Sequence, residues 1–150
     1  MRVIIASDHA GFRVKERIKK YLKRKKVDFE DLGVESQASV DYPDYAFRVA
    51  ERVAENPELK GILICGTGTG MVMAANKVRG IRAVTAYDAY SAKMSRRDND
   101  ANVLGLRARH FPFEKIKKIV SIWLSTPFSG EERHLRRLMK IAAYENEKMR

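Results

Sequence analysis

Residues 61–77 read Gly-Ile-Leu-Ile-Cys-Gly-Thr-Gly-Thr-Gly-Met-Val-Met-Ala-Ala-Asn-Lys, and they constrain the fold more than any other segment. Ile62, Leu63 and Ile64 form a short apolar run of the kind that makes a fully buried strand, ending at Cys65, the only cysteine. Gly66, Gly68 and Gly70 follow at alternate positions. Met71, Ala74, Ala75 and Val78 then fall on one helical face. Strand, glycine turn and helix together make a βα unit, and repeated βα units need a parallel sheet covered by helices. The turn also aims bare N–H groups at whatever lies over the helix start, which is an anion cradle. Thiols at helix N-termini ionise more readily than free ones. An ionisable sulfur therefore sits beside a place for negative charge. The bland alternative is an ordinary strand-to-helix turn with a buried, inert cysteine.

Two phosphate motifs are excluded by spacing. A dinucleotide fingerprint would need glycine at position 71 or 73, and both are Met. A P-loop would also need glycine, not Met71, five residues after its first glycine.

Strand and helix patterns alternate along the rest of the chain. Residues 2–7, 27–32, 61–65, 81–85 and 102–106 read as strands, and helices are expected near 11–25, 43–55, 69–79, 88–97 and 113–124. Asn56-Pro57 ends the second helix, and Asp88 is a candidate cap for the fourth. After Pro127 and Gly130 a last helix carries Leu135, Leu138, Met139 and Ala142 along one face. That stripe suits either the core or a contact with another chain. In open α/β sheets, ligands bind beyond the carboxyl ends of the strands. Asp8 and His9 after the first strand should therefore share a crevice with Cys65–Gly70 after the third.

At 150 residues the chain suits one domain spanning 1–150. No apolar run reaches bilayer length, no signal-peptide pattern opens the chain, and a lone cysteine fits a reducing cytoplasm. The histidines His9, His110 and His134 lack metal-ligand spacing with Cys65, so no metal is expected. The net charge of +11 would suit nucleic acid. Much of it lies in Arg13, Lys15, Arg17, Lys19, Lys20 and Lys23 to Lys26, interleaved with Val14, Ile18, Tyr21 and Leu22 at helical spacing. An amphipathic helix with a solvated basic face accounts for that pattern without a nucleic-acid or membrane partner.

Cys65 to Lys77, as Cys-Gly-Thr-Gly-x-Gly-x-x-x-Ala-Ala-Asn-Lys, resembles type B ribose-5-phosphate isomerase, whose family includes galactose- and allose-6-phosphate isomerases. Ser7-Asp8-His9-Ala10-Gly11, Asp41-Tyr42-Pro43, Gly80-Ile81-Arg82-Ala83, Asn99 to Leu104 and Arg133-His134-x-x-Arg137 match in the same order. The resemblance spans nearly the whole chain. It implies an α/β single-domain, three-layer α/β/α Rossmann-like fold, with a five-stranded parallel sheet and a long C-terminal helix. It implies a cytoplasmic, cofactor-free enzyme acting on a small sugar phosphate. It also implies a homodimer or homotetramer with active sites at subunit interfaces.

Aldose–ketose isomerisation needs a base near two adjacent carbons and a home for the enediolate oxyanion. The resemblance makes Cys65 the base and the backbone of Gly66, Thr67, Gly68, Thr69 and Gly70 the cradle. Relatives without the cysteine carry Glu just after the last glycine; here that position is Met71. Thr67 suits either a sugar contact or simple turn satisfaction. Asp8 is expected to anchor sugar hydroxyls and His9 to touch phosphate, with helix capping as the alternative for Asp8. Asn99 aligns with a substrate-binding Asn. Arg109, Arg133 and Arg137 match phosphate-binding arginines, whose planar forks suit phosphate oxygens, and His134 is a weaker candidate. The family's usual histidine for ring opening is replaced by Asp98. An aspartate is a poor acid near neutral pH. Base action by Asp98, substitution by His110, uncatalysed opening and a different sugar all remain open at this level.

Overall fold

The structure is a computed structural model and describes residues 1–148. Its elements run β1 (Arg2–Ser7), α1 (Phe12–Arg24), β2 (Asp28–Asp31), α2 (Tyr42–Ala54), β3 (Leu59–Cys65), α3 (Thr69–Ala75), β4 (Ala83–Thr85), α4 (Ala89–Arg97), β5 (Val103–Arg107), α5 (Phe113–Ser125) and α6 (Glu132–Lys148). The strands form one parallel sheet in the order β2-β1-β3-β5-β4.

Alternation of side chains across each strand produces two cores. Val3, Ile5, Ile62, Ile64, Leu104 and Leu106 pack against α1, α4 and α5 through residues such as Ile18, Leu22, Ala92, Ile116 and Trp123. Ile4, Ala6, Leu63 and Cys65 face the other way, against Val49 and Val53 of α2 and Met71 and Ala75 of α3. Because both faces are covered, the central strands β1, β3 and β5 read as near-continuous apolar runs rather than alternating ones. The sheet order reverses between β1 and β3, so their carboxyl ends flank the crevice expected of this topology.

Three features differ from the sequence reading or resolve it. First, α3 stops at Ala75 rather than near 79. Asn76 leaves the helix to bracket Ala83, donating from Nδ2 to its carbonyl at 2.9 Å and accepting its N–H at 2.8 Å. Second, Lys15 is not on the solvated basic face. It is 1% exposed, with Nζ 2.8 and 2.6 Å from the two oxygens of Asp31 on β2. Its position one turn before Ile18 and Lys19 puts its stem on the buried stripe, and Asp31 supplies the counter-charge. Third, α6 lies outside both layers. Leu138 and Ile141 face Ile81, Val84 and Ala101 across a cleft, while Leu135, Met139, Ile141 and Tyr144 are largely exposed. Among the described residues no helix is long and apolar enough to cross a membrane.

Candidate active site

Cys65 closes β3 and is buried on the α2–α3 side. The turn after it folds back so that the Gly68 N–H donates to Cys65 Sγ at 3.1 Å. Gly68 has φ +81°, and a Cβ there would come within 2.9 Å of the Leu106 backbone, so the loop passes directly over the end of β5. Only glycine fits that conformation and that gap. The start of α3 faces this loop, and the N–H groups of a helix's first turn have no partners within the helix.

Four further sequence-expected residues lie at this edge. Ser7 is level with Ile64, and the Asp8 N–H donates to the Ile64 carbonyl at 3.1 Å. Asp8 Oδ1 accepts the Gly11 N–H at 2.9 Å, so one carboxylate oxygen is committed to the turn that starts α1. His9 Nδ1 accepts the Val40 N–H at 3.3 Å, which orients the ring and leaves Nε2 for other partners. Arg109 is tied to the loop by its own N–H, 3.0 Å from the Gly66 carbonyl, and its guanidinium lies against Gly66. Thr67 Oγ1 accepts the Thr69 N–H at 3.3 Å, satisfying the turn.

The remaining sequence-expected residues lie elsewhere. Val103 at the start of β5 is level with Gly61, whereas Arg107 at its end is level with Cys65. Those four residue steps span about 13 Å. Asp98 and Asn99 precede β5, at its amino end, whereas Cys65 is level with its carboxyl end. Asp98 is the C-cap of α4, and its Oδ1 lies 3.6 Å from His134 Nδ1 and 3.8 Å from Arg97 Nε, beyond hydrogen-bond range. His134 is the buried residue of α6, with Nδ1 2.9 Å from Ser129 Oγ. Glu131 joins Arg133 at 2.9 Å and Arg97 at 3.3 Å, and those two guanidiniums hold its carboxyl below the usual carboxylate range. Arg137 follows one turn after Arg133 and is exposed.

The sequence-expected residues thus fall in two groups. The first has the thiol, the glycine turn, His9 and Arg109. The second has Asp98, Asn99, His134, Arg133 and Arg137. Tyr42 and Tyr87 belong with the first set. A Cβ on Gly70 would meet the Tyr42 ring at 2.9 Å, and the Tyr87 hydroxyl donates to the Thr67 carbonyl at 3.1 Å. Tyr42 had a signal in the Asp41-Tyr42-Pro43 motif. Tyr87 had none, because only the folding of the loop over β5 brings it near.

The family model described as Ribose/Galactose Isomerase matches residues 3–141. The chain belongs to the ribose/galactose isomerase family. Among curated relatives, ribose-5-phosphate isomerase B of Escherichia coli is 43% identical over 144 residues, covering 96% of each chain. D-erythrulose-4-phosphate isomerase 2 of Mycolicibacterium smegmatis is 38% identical over 148 residues, covering 97% of each. Among solved structures, ribose-5-phosphate isomerase B of Mycoplasma genitalium with bound ribulose-5-phosphate superposes with a TM-score of 0.94. It is 44% identical and covers 98% of this chain and 97% of that one. The family resemblance noted in the sequence is therefore a family membership, with the same five-stranded parallel fold.

Proposed function

We propose that this enzyme interconverts D-ribose 5-phosphate and D-ribulose 5-phosphate through an enediolate. The reading rests on family membership with relatives of that activity, together with a thiol held at the mouth of a glycine-rich oxyanion cradle. Cys65 as thiolate takes the C2 proton of the open-chain aldose. The developing charge on O1 is met by N–H groups of the Gly66–Gly70 turn. Return of that proton to C1, with the O2 hydroxyl proton passing to O1, gives the ketose, so no electrons leave the substrate and no redox cofactor is required.

The two groups support a second part of the proposal. A second copy of the chain supplies Asp98, Asn99, Arg133 and Arg137 to the crevice that holds Cys65, in a homodimer or a multiple of one. Arg109, His9 and the partner-borne arginines then bind phosphate. Asp98, with His134 beside it, acts as base on the anomeric hydroxyl during ring opening. The exposed apolar side chains of α6, which begins at the second group, fit the contact.

One experiment tests the reading. Turnover is measured with ribose 5-phosphate, allose 6-phosphate, galactose 6-phosphate and erythrose 4-phosphate, for the wild type, Cys65→Ala and Asp98→Asn. The expected result is highest kcat/KM on ribose 5-phosphate, with kcat lowered roughly 10²–10⁴-fold in Cys65→Ala and KM little changed. Asp98→Asn should slow the ribose direction and spare the ribulose direction, because the ketose 5-phosphate has no ring through C5 oxygen to open. A higher kcat/KM on another sugar would replace the substrate. Wild-type turnover in Cys65→Ala would remove the base.

A further inference from the structure

The glycine turn does not set its own geometry. Gly68, at φ +81°, accepts either sign of φ at little cost, so the Thr67–Gly68 peptide could flip and carry its N–H away from the sulfur. Two side chains from the end of β4 oppose that flip. Thr85 Oγ1 donates to the Gly68 carbonyl at 2.9 Å. The Tyr87 hydroxyl donates to the Thr67 carbonyl at 3.1 Å.

The second bond bears directly on Cys65. The carbonyl that Tyr87 holds and the N–H that reaches Sγ belong to the same peptide unit. A trans peptide is planar, with C=O and N–H pointing opposite ways, so fixing one fixes the other. A donor on the carbonyl also polarises the N–H at the far end. The Tyr87 ring is itself braced edge-on against Phe111, with centroids 6.5 Å apart at 72°. Phe111 in turn carries the cations of Arg107 and Lys115 over its ring.

We propose that Tyr87 is a positioning residue for Cys65: its hydroxyl, acting across the Thr67–Gly68 peptide, orients and polarises the N–H that stabilises the thiolate. The proposal rests on Cys65 being the reacting thiol. It gives a role to a residue of the β4–α4 turn that no sequence motif pointed to.

The single cysteine makes the test direct, because alkylation by iodoacetamide reads Cys65 alone. Tyr87→Phe keeps the ring and its contact with Phe111 and removes only the donor. The charged or titratable groups nearest the turn include Asp8 and His9 after β1, Asp41 and Tyr42 at the start of α2, and Arg107 and Arg109 at the end of β5. The substitution leaves all of them in place, so a moved pH profile reports the hydroxyl. The expected result is an alkylation profile displaced to higher pH, with the rate at neutral pH down roughly three- to tenfold, the size of one neutral hydrogen bond. On ribose 5-phosphate, kcat should fall by a similar factor, KM should stay within about twofold, and the acid limb of kcat/KM should move with the alkylation profile. Thr85→Val, which frees the next peptide, should move both profiles the same way.

Profiles that coincide with wild type in Tyr87→Phe would overturn the proposal. A raised KM with an unmoved alkylation profile would also overturn it and make Tyr87 a substrate contact. A displaced alkylation profile in a protein that isomerises none of the sugars tested would keep the positioning role and defeat the functional reading instead.

Discussion

Outside the candidate site, Lys15 holds a charged side chain almost wholly buried. Its ammonium is buried beside Asp31, which also takes Lys19 Nζ at 2.6 Å and the Gly33 N–H at 2.9 Å. Burial alone would raise the Asp31 carboxyl. The hydrogen bonds from Lys15, Lys19 and Gly33 outweigh it, and the net shift is downward. A carboxylate depressed in this way adds stability that is complete above its unfolded value, about pH 4, and is lost as pH falls through the folded value. Asp31→Asn should therefore cost roughly 3 kcal/mol at neutral pH, the low end for orphaning a buried charge. Glu16, 3.3 Å from Lys15, keeps the loss from being larger. The gap between wild type and variant should shrink as pH drops below about 4. Urea unfolding of both proteins at pH 7 and pH 3 measures it. A gap of equal size at both would mean that packing, not charge, ties α1 to β2.

At the scale of elements, the meeting of α3, its glycine turn and β5 decides whether Cys65 faces a cradle. Gly105 in β5 is the tightest point. A Cβ there would come within 2.3 Å of Val72 Cγ2 and 2.8 Å of the Gly68 carbonyl oxygen. The first neighbour is a stiff β-branched side chain and the second is backbone, so neither yields without moving α3. Gly105→Ala should cost about 1–3 kcal/mol of stability by overpacking. Its larger effect should be on activity, since the displaced carbonyl belongs to the peptide next to the one that serves Cys65. Paired urea titrations and isomerase assays check this: loss of stability with full kcat would show that the turn tolerates a shifted α3. The α4 end of the same region is built more simply. Asp88 accepts the Ser91 N–H at 2.6 Å in a capping box, which starts the helix just after Tyr87.

At the scale of the molecule, the two groups of expected site residues stand at opposite ends of the strands. In the proposed dimer, a pair of chains related by a twofold axis would make two complete sites from two copies of each group. Cys65→Ala and Arg137→Ala should each be nearly inactive alone at low substrate concentration. Mixed by co-refolding in equal amounts, they should recover about a quarter of wild-type activity, because half of the pairs are mixed and each mixed pair holds one intact site. The chain should run as a dimer or larger on size-exclusion chromatography with light scattering. Met139→Glu on the exposed face of α6 should shift it toward monomer and lower activity in step. No recovery on mixing, in proteins that do exchange subunits, would place both residues' roles within one chain.

What the sequence determined by itself was local. The order of strands and helices, the start of α4 at Asp88 and the glycine turn after Cys65 follow from side-chain period, capping chemistry and backbone freedom over a few residues. The motifs identified the family for the same reason, since each is a short run of adjacent residues. The tertiary structure decided whatever depends on distance across the sheet. Strand order put β4 at the edge and carried the turn over β5, which brought Thr85 and Tyr87 to the peptides beside Cys65. The levels of Gly61 with Val103 and of Cys65 with Arg107 separated Asp98 from the thiol. Lys15 was drawn inside because Asp31 arrives on a neighbouring strand, and the stripe on α6 stayed outside because both layers were already filled. Pairing, register and layer are set by contacts between residues far apart in the chain, and no local pattern encodes which of those contacts form.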